Sequence, residues 1–266
     1  MADQETTAAD QVIAALRSGH DELVRHLAGL TQQQLTGPSA ASEWDVSQVV
    51  SHLGSGAVIG KAGLEAALAG EARPGMDFMH SVWDRWNAMS AADRATEFPV
   101  VNAALVERYE GLDAATRADL RIDLGFLPAP VDVATAGTFR LNEFTLHSWD
   151  VRVASDPAAT LRADAVPLLL GVLSMMVGFL GKAEPLDGRT VAILVELADL
   201  NQSLGLSIAE AVAVTGAPSS PDATLTLPGE AWLRLTSGRL APEHTPSTVS
   251  ASGIDLDTLR KVFPGF

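Results

Sequence analysis

The stretch Phe139-Arg140-Leu141-Asn142-Glu143-Phe144-Thr145-Leu146-His147-Ser148-Trp149-Asp150-Val151 brings together side chains able to do chemistry. On a helical wheel at about 100° per residue, Arg140, Glu143, His147 and Asp150 fall within about 80° of one another. Phe139 and Leu146 flank that stripe on one side, and Phe144 and Val151 on the other. A solvated helix face is not normally walled by large apolar residues on both flanks, so the stripe is expected to face into a bundle. Charges taken out of water must be paired or bind a metal. Glu143 and His147, four positions apart, present a carboxylate and an imidazole to one point, a common way for one helix to hold a divalent metal. A metal-free Glu–His or Arg–Glu–Asp network accounts for the same stripe, and this helix alone leaves both readings open.

A third ligand has to come from a neighbouring helix, and His52 is the best placed of the six histidines. It borders the apolar stripe Val46, Val49, Val50 and Leu53, about 60° from Val49 at the helical period. A histidine beside an apolar face can also be a satisfied core residue. His20, His26 and His80 lie in polar or poorly patterned surroundings, and His244 in a Pro-flanked loop. The run Gly54-Ser55-Gly56-Ala57-Val58-Ile59-Gly60 imitates a dinucleotide-binding glycine loop, but has one residue too many before its last glycine. The segment ahead of it reads as a capped helix, not a strand. No Gly-x-Ser-x-Gly elbow, Walker loop or His-Glu-x-x-His helix is present.

These residues need helices to carry them. Thr7 to Leu30 has Val12, Ile13, Leu16, Leu23, Leu27 and Leu30 at amphipathic spacing. After Gly37-Pro38, a second helix opens at Asp45, with Gln48 completing a capping box, and continues through Leu64 and Leu68 to Gly70. Further helices are expected from Met79 through Trp86 toward Met89, from Val100 to Leu112 after Phe98-Pro99, and over 131–154. The uncharged run from Ala165 to Gly181 barely reaches the roughly 17 residues needed for a membrane span and contains Pro167. It reads as a buried helix over 164–180 whose Gly171, Ser174 and Gly178 let a neighbouring helix approach. After Pro185 the texture changes. Strands are expected at 190–195, 223–227 and 247–252, a turn at 216–221, and short helices at 230–236 and 256–262, an α+β pattern. The expected partition is a helical domain over 1–185 and a smaller α+β domain over 186–266.

Composition narrows the chemistry. With 47% hydrophobic and 19% charged residues, the 266-residue chain can bury a sizeable core. The absence of cysteine removes disulfides, thiolate metal ligands, a cysteine nucleophile and a dithiol redox pair together. A net charge of −15 with only three lysines argues against a nucleic-acid or polybasic membrane-surface partner. The polar, acidic start Met1-Ala2-Asp3-Gln4-Glu5 does not read as a signal peptide, so a cytoplasmic protein is expected.

Trp44-Asp45-Val46-Ser47-Gln48-Val49-Val50-Ser51-His52-Leu53 resembles the early Trp-Thr-Val…His-Leu helix of the mycothiol-dependent maleylpyruvate isomerase family. Asn142-Glu143…His147-Ser148-Trp149-Asp150 resembles that family's Glu-x-x-x-His-x-Trp-Asp helix. The region of Ala231-Trp232-Leu233-Arg234-Leu235-Thr236-Ser237-Gly238-Arg239, with the closing 249–263 segment, is similar to the sterol-carrier-like domain behind the family's bundle. Asp45 stands where the family usually has Thr or Ser, which preserves the helix cap.

The resemblance implies a fold of α plus (α+β): a DinB-like four-helix bundle followed by a small sterol-carrier-like domain. It implies a divalent metal, usually zinc, on His52, Glu143 and His147, with positions left open for the thiol of mycothiol, a sugar-linked cysteine derivative. Asp150 would support the ligands or handle a proton. Arg239 or Arg234 from the second domain, or Arg85 or Arg140 from the bundle, would bind a substrate carboxylate. The implied function is a metal- and mycothiol-dependent isomerase or thiol transferase acting on a small electrophile. The alternatives are a thiol-independent metalloenzyme (hydrolase, lyase or natural-product tailoring) on the same bundle, and a non-enzymatic small-ligand-binding protein. Partners are expected to be a small-molecule substrate and a low-molecular-weight thiol, with the chain monomeric or homodimeric.

Overall fold

A computed structural model describes residues 6–265. The chain forms two compact units, Met1–Thr160 and Leu161–Phe266. In the first, Thr7 and Asp10 form a capping box that opens helix α1 (Ala8–Ala28). A short helix α2 (Gln32–Leu35) follows, then α3 (Val46–Ala69), opened by the expected Asp45–Gln48 box and closed by Gly70 in the left-handed region at φ 67°. Helices α4 (Met76–Ala88), α5 (Ala91–Glu110) and α6 (Ala114–Asp119) lead to a two-residue antiparallel pair, β1 (Arg121–Ile122) with β2 (Val131–Asp132). Helix α7 (Val133–Val153) completes the unit.

The long helices α1, α3, α5 and α7 pack as the bundle, with α4 against α3. Leu23, Val49, Val50, Leu53, Trp86, Phe98, Phe144 and Val151 form its core. Helix α5 departs from expectation: it starts at Ser90 and runs straight through Pro99 instead of starting after it. An interior proline costs a helix about 3 kcal/mol. The buried Phe98, Leu105, Val106 and Tyr109 on the same helix supply apolar burial that outweighs this cost.

The glycines that imitated a nucleotide loop sit in the middle of α3 and serve packing. A Cβ on Gly54 would lie 2.2 Å from the Trp86 ring, so glycine is what allows that tryptophan to seat fully buried.

In the second unit, α8 (Val166–Leu180) precedes strands β3 (Val191–Leu197), β4 (Gln202–Ile208), β5 (Val212–Thr215) and β6 (Ala223–Leu227), then α9 (Gly229–Thr236), β7 (Ser250–Ser252) and α10 (Leu256–Val262). The sheet order is β5-β4-β3-β6-β7, antiparallel except for the parallel β3–β6 pair. The α plus (α+β) architecture is therefore as expected, but the division falls at 160/161 and not at 185/186. The uncharged α8 packs on α9 and β5, and Leu161 N–H donates to the buried Glu230 carboxylate (3.4 Å), which draws the connecting segment into the second unit. Of the expected small residues, Gly178 meets a strand, a Cβ there lying 3.5 Å from Val212 O, and Gly171 faces open space; the closest approach is at the capping Gly181, where a Cβ would lie 2.7 Å from Val212 Cβ. Among the described residues, no helix is long and apolar enough to cross a membrane.

Candidate metal centre

Helices α3 and α7 bring His52, Glu143 and His147 together, with one potential ligand atom from each lying within 4.8 Å of the others. His52 Nε2 is 3.2 Å and His147 Nε2 3.8 Å from Glu143 Oε2. Donors on a tetrahedral ion with bonds of about 2.0–2.1 Å stand about 3.4 Å apart, so two imidazole nitrogens and a carboxylate oxygen at these separations fit a divalent metal.

The stripe on α7 is graded rather than uniformly buried. Side-chain exposure falls from 50% at Glu143 to 16% at His147 and 0% at Asp150. The exposed end offers ligand atoms, and the buried end fixes them. His147 Nδ1–H donates to Asp150 Oδ2 at 2.8 Å, which selects the tautomer whose Nε2 lone pair faces the cluster. Asp150 also accepts through its backbone carbonyl from Ala40 N–H (3.1 Å), tying the loop before α3 to α7. Burial pushes the Glu143 carboxyl up, but the His52 hydrogen bond and the nearby His147, His52 and Arg140 charges outweigh it and hold the carboxyl below its ordinary range.

Trp44, on the loop entering α3, covers both imidazoles, with ring centroids 5.2 Å from His52 and 5.9 Å from His147. A cavity of about 420 Å³ opens beside His52, lined also by Trp44, Trp83, Gln48, Asn87, Ser51, Ser55 and Arg94. Arg94 donates to Trp86 O, Asn87 O and Ser47 Oγ, at 3.1, 2.8 and 3.1 Å, and makes no ion pair among the described residues. Sequence reasoning assigned no role to Arg94 or Trp83. Their only signal was proximity to Trp86: Trp83 precedes it by three residues on α4, and Arg94 follows in the first turn of α5.

The remaining candidate arginines fall in different settings. Arg140 turns into the bundle, where Nη2 donates to Leu53 O (3.0 Å) and Asn102 Oδ1 (2.9 Å), so its guanidinium is committed to main-chain and amide acceptors. Burial pushes it down to about 10, with Glu143 and Tyr109 opposing, and it stays cationic at neutral pH. Arg85 is exposed and paired with Glu97 at 2.5 Å. Arg234 is buried, with Nε and Nη2 donating to the Glu230 carboxylate and Nη1 to His244 O, so its guanidinium is engaged within the second unit. Arg239 lies in the second unit just after Gly238, whose φ of 74° requires glycine. His20, expected in polar surroundings, is buried beside Asn102.

Residues 16–152 match the family model described as mycothiol maleylpyruvate isomerase N-terminal domain. The crystal structure of the mycothiol-dependent maleylpyruvate isomerase is similar to this chain, with a TM-score of 0.63 and 12% identity over 92% of both chains. The structure of a histidine-to-alanine mutant of that enzyme matches equally well, at TM-score 0.63 and 12% identity over 92% of each chain. No curated protein matches this chain by sequence.

Proposed function

The chain belongs to the mycothiol maleylpyruvate isomerase N-terminal domain family, and on that basis we propose that it is a metal- and mycothiol-dependent isomerase or thiol transferase acting on a small electrophile. The observation that carries the reading is the convergence of His52, Glu143 and His147, with Asp150 behind His147. These three residues would hold a divalent metal, which we take to be zinc from the two-nitrogen, one-oxygen donor set. Bound there, such an ion supplies a Lewis acid that lowers the pKa of a coordinated thiol and yields thiolate near neutral pH.

The chain has no cysteine, so the thiol must come from a second molecule. The cavity beside His52 is where the co-reactant and substrate would meet. Trp44 and Trp83 offer apolar walls there, Gln48 and Asn87 neutral hydrogen-bonding groups, and Arg94 a positive charge for a substrate carboxylate. Asp150 keeps His147 in one tautomer and orientation, and Trp44 shields both imidazoles from water on one side. In an isomerisation the thiolate adds to a conjugated double bond, the former double bond rotates as a single bond, and the thiolate leaves with its electron pair. In a transfer the new carbon–sulfur bond is kept, and the electrophile's displaced group or opened ring atom departs from that carbon with the bonding pair and takes up a proton.

Metal analysis and thiol-dependent turnover test the reading. Purified protein is expected to carry about one equivalent of divalent metal, and conversion of a cis-unsaturated keto acid should require added mycothiol. Protein that stays metal-free after reconstitution would overturn the assignment. Turnover at full rate without thiol would leave the metal centre intact but point to a water-activating metalloenzyme.

A further inference from the structure

Arg140 stands three residues before Glu143 on α7, yet its guanidinium reaches across to α3. There it donates to the carbonyl of Leu53, the residue next to His52, and the same nitrogen donates to Asn102 on α5. Room for it is built into α3. A Cβ at Gly56 would lie 3.0 Å from Arg140 Nη1, so glycine at that position leaves a notch for the guanidinium. The planar group also lies over the Phe144 ring, 5.8 Å from its centroid.

The amide of Asn102 is oriented by this contact. Its Oδ1 faces the arginine, which places Nδ2 2.9 Å from His20 Nδ1 on α1 and requires that nitrogen to accept. One buried cation thus registers α7 against α3 directly, and against α5 and α1 through Asn102. Arg140 has no carboxylate within ion-pair distance among the described residues. A buried, unpaired cation is a poor source of stability compared with an apolar side chain of similar volume. What it supplies is direction.

We propose that Arg140 is a positioning residue for the metal centre: by clasping the carbonyl beside His52 from one turn below Glu143, it sets the spacing of the two ligand-bearing helices. This rests on reading the His52–Glu143–His147 cluster as a metal site.

Cobalt(II) substitution tests it, because the visible spectrum reports ligand geometry independently of turnover. In R140M, the cobalt spectrum should shift and affinity should fall about 10–100-fold, the range for losing a ligand's support. R140K should recover part of the affinity, since one ammonium nitrogen can serve both acceptors as Nη2 does but lacks the planar group that fills the Gly56 notch and lies over Phe144. G56A, which keeps the arginine and fills its notch, should move the spectrum in the same direction and serves as the test if R140M does not fold. In metal-free protein, the cross-relaxation between the His52 and His147 rings, whose centroids are 4.7 Å apart, should weaken in R140M. Folded R140M and G56A with wild-type cobalt spectrum and affinity would overturn the positioning role alone. Wild-type protein that binds no cobalt would overturn the metal reading and this role with it.

Discussion

Replacing Asp150 with asparagine isolates the contribution of the carboxylate behind the candidate metal ligands. Asp150 is wholly buried, and its Oδ2 lies 2.8 Å from Nδ1 of a His147 side chain that is itself only 16% exposed. Asparagine keeps the shape and one carbonyl acceptor but removes the negative charge that faces Nδ1–H. Hydrogen bonds to charged groups are worth about 1.5–3 kcal/mol. Supporting partners of metal ligands are worth about 10–100-fold in affinity, or about 1.4–2.7 kcal/mol. Both routes put D150N at a zinc affinity roughly 10–100-fold weaker than wild type. Competition against a chromophoric chelator measures it, with far-UV circular dichroism to confirm that helix content is unchanged. The loss should come with little change in metal stoichiometry at saturation, because His52, Glu143 and His147 remain. A folded D150N with affinity within about threefold of wild type would mean that His147 is not held through Asp150, and the argument from tautomer selection would fail.

Other parts of the structure give sharp expectations. H52A should lose stoichiometric metal while keeping its helix content; unchanged metal content by elemental analysis would remove His52 from the ligand set. G54A forces a methyl group to within 2.2 Å of the buried Trp86 ring and should destabilise the bundle by at least the roughly 1–3 kcal/mol typical of overpacking, read as a lower urea midpoint. In the second unit, R234M should cost about 3–5 kcal/mol, because it strands the buried Glu230 carboxylate, whereas the double variant E230L/R234M should recover much of that loss in the same unfolding assay. His20 gives a pH dependence. Burial, assisted by Arg17 and opposed by Asp21, Glu107 and Glu110, holds its folded-state value below the ordinary one. The unfolded chain therefore binds more protons, so this contribution is complete above about pH 6.5 and is lost as pH falls through the folded value. Thermal melts should show wild type losing more stability than H20Q between about pH 7.5 and 5.5.

Much of this was legible in the sequence where one local rule acted alone. Asp45 and Gln48 announced the start of α3, and the spacing of Glu143, His147 and Asp150 put them on one face. Tertiary contacts hid the rest. Pro99 reads as a helix stop, yet the burial of Phe98 and Leu105 carries α5 through it. Strand β4 has no clean alternation and contains Gly205, where a Cβ would collide with Thr215 Oγ1 at 2.3 Å, so its identity depends on its neighbour β5. The direction of Arg140 was equally invisible, because a wheel gives the angle of a side chain but not whether its head reaches the centre or a partner helix. Gly56 carried that information, since a helix pays an entropic penalty for an interior glycine unless something occupies the space it leaves.

The gradient along α7 explains how one helix can both fix a metal ligand and leave it accessible. If the whole stripe were buried, as the flanking Phe144 and Val151 suggested, a bound ion would be closed to a second molecule. If it were wholly exposed, the imidazoles would be free to rotate away. Instead Glu143 is half exposed and His52 borders a cavity of about 420 Å³, while Asp150 is sealed in the core and grips His147 through Nδ1. His52 receives the same treatment from another direction, with Trp44 over its ring and the Arg140 clasp on the carbonyl next to it. The contacts that fix His147 and His52 thus act through atoms other than the Nε2 nitrogens that face Glu143. A centre built this way can exchange the molecule on its open face without disturbing the groups that hold it, which is what a chain with no thiol of its own needs if it is to use a borrowed one.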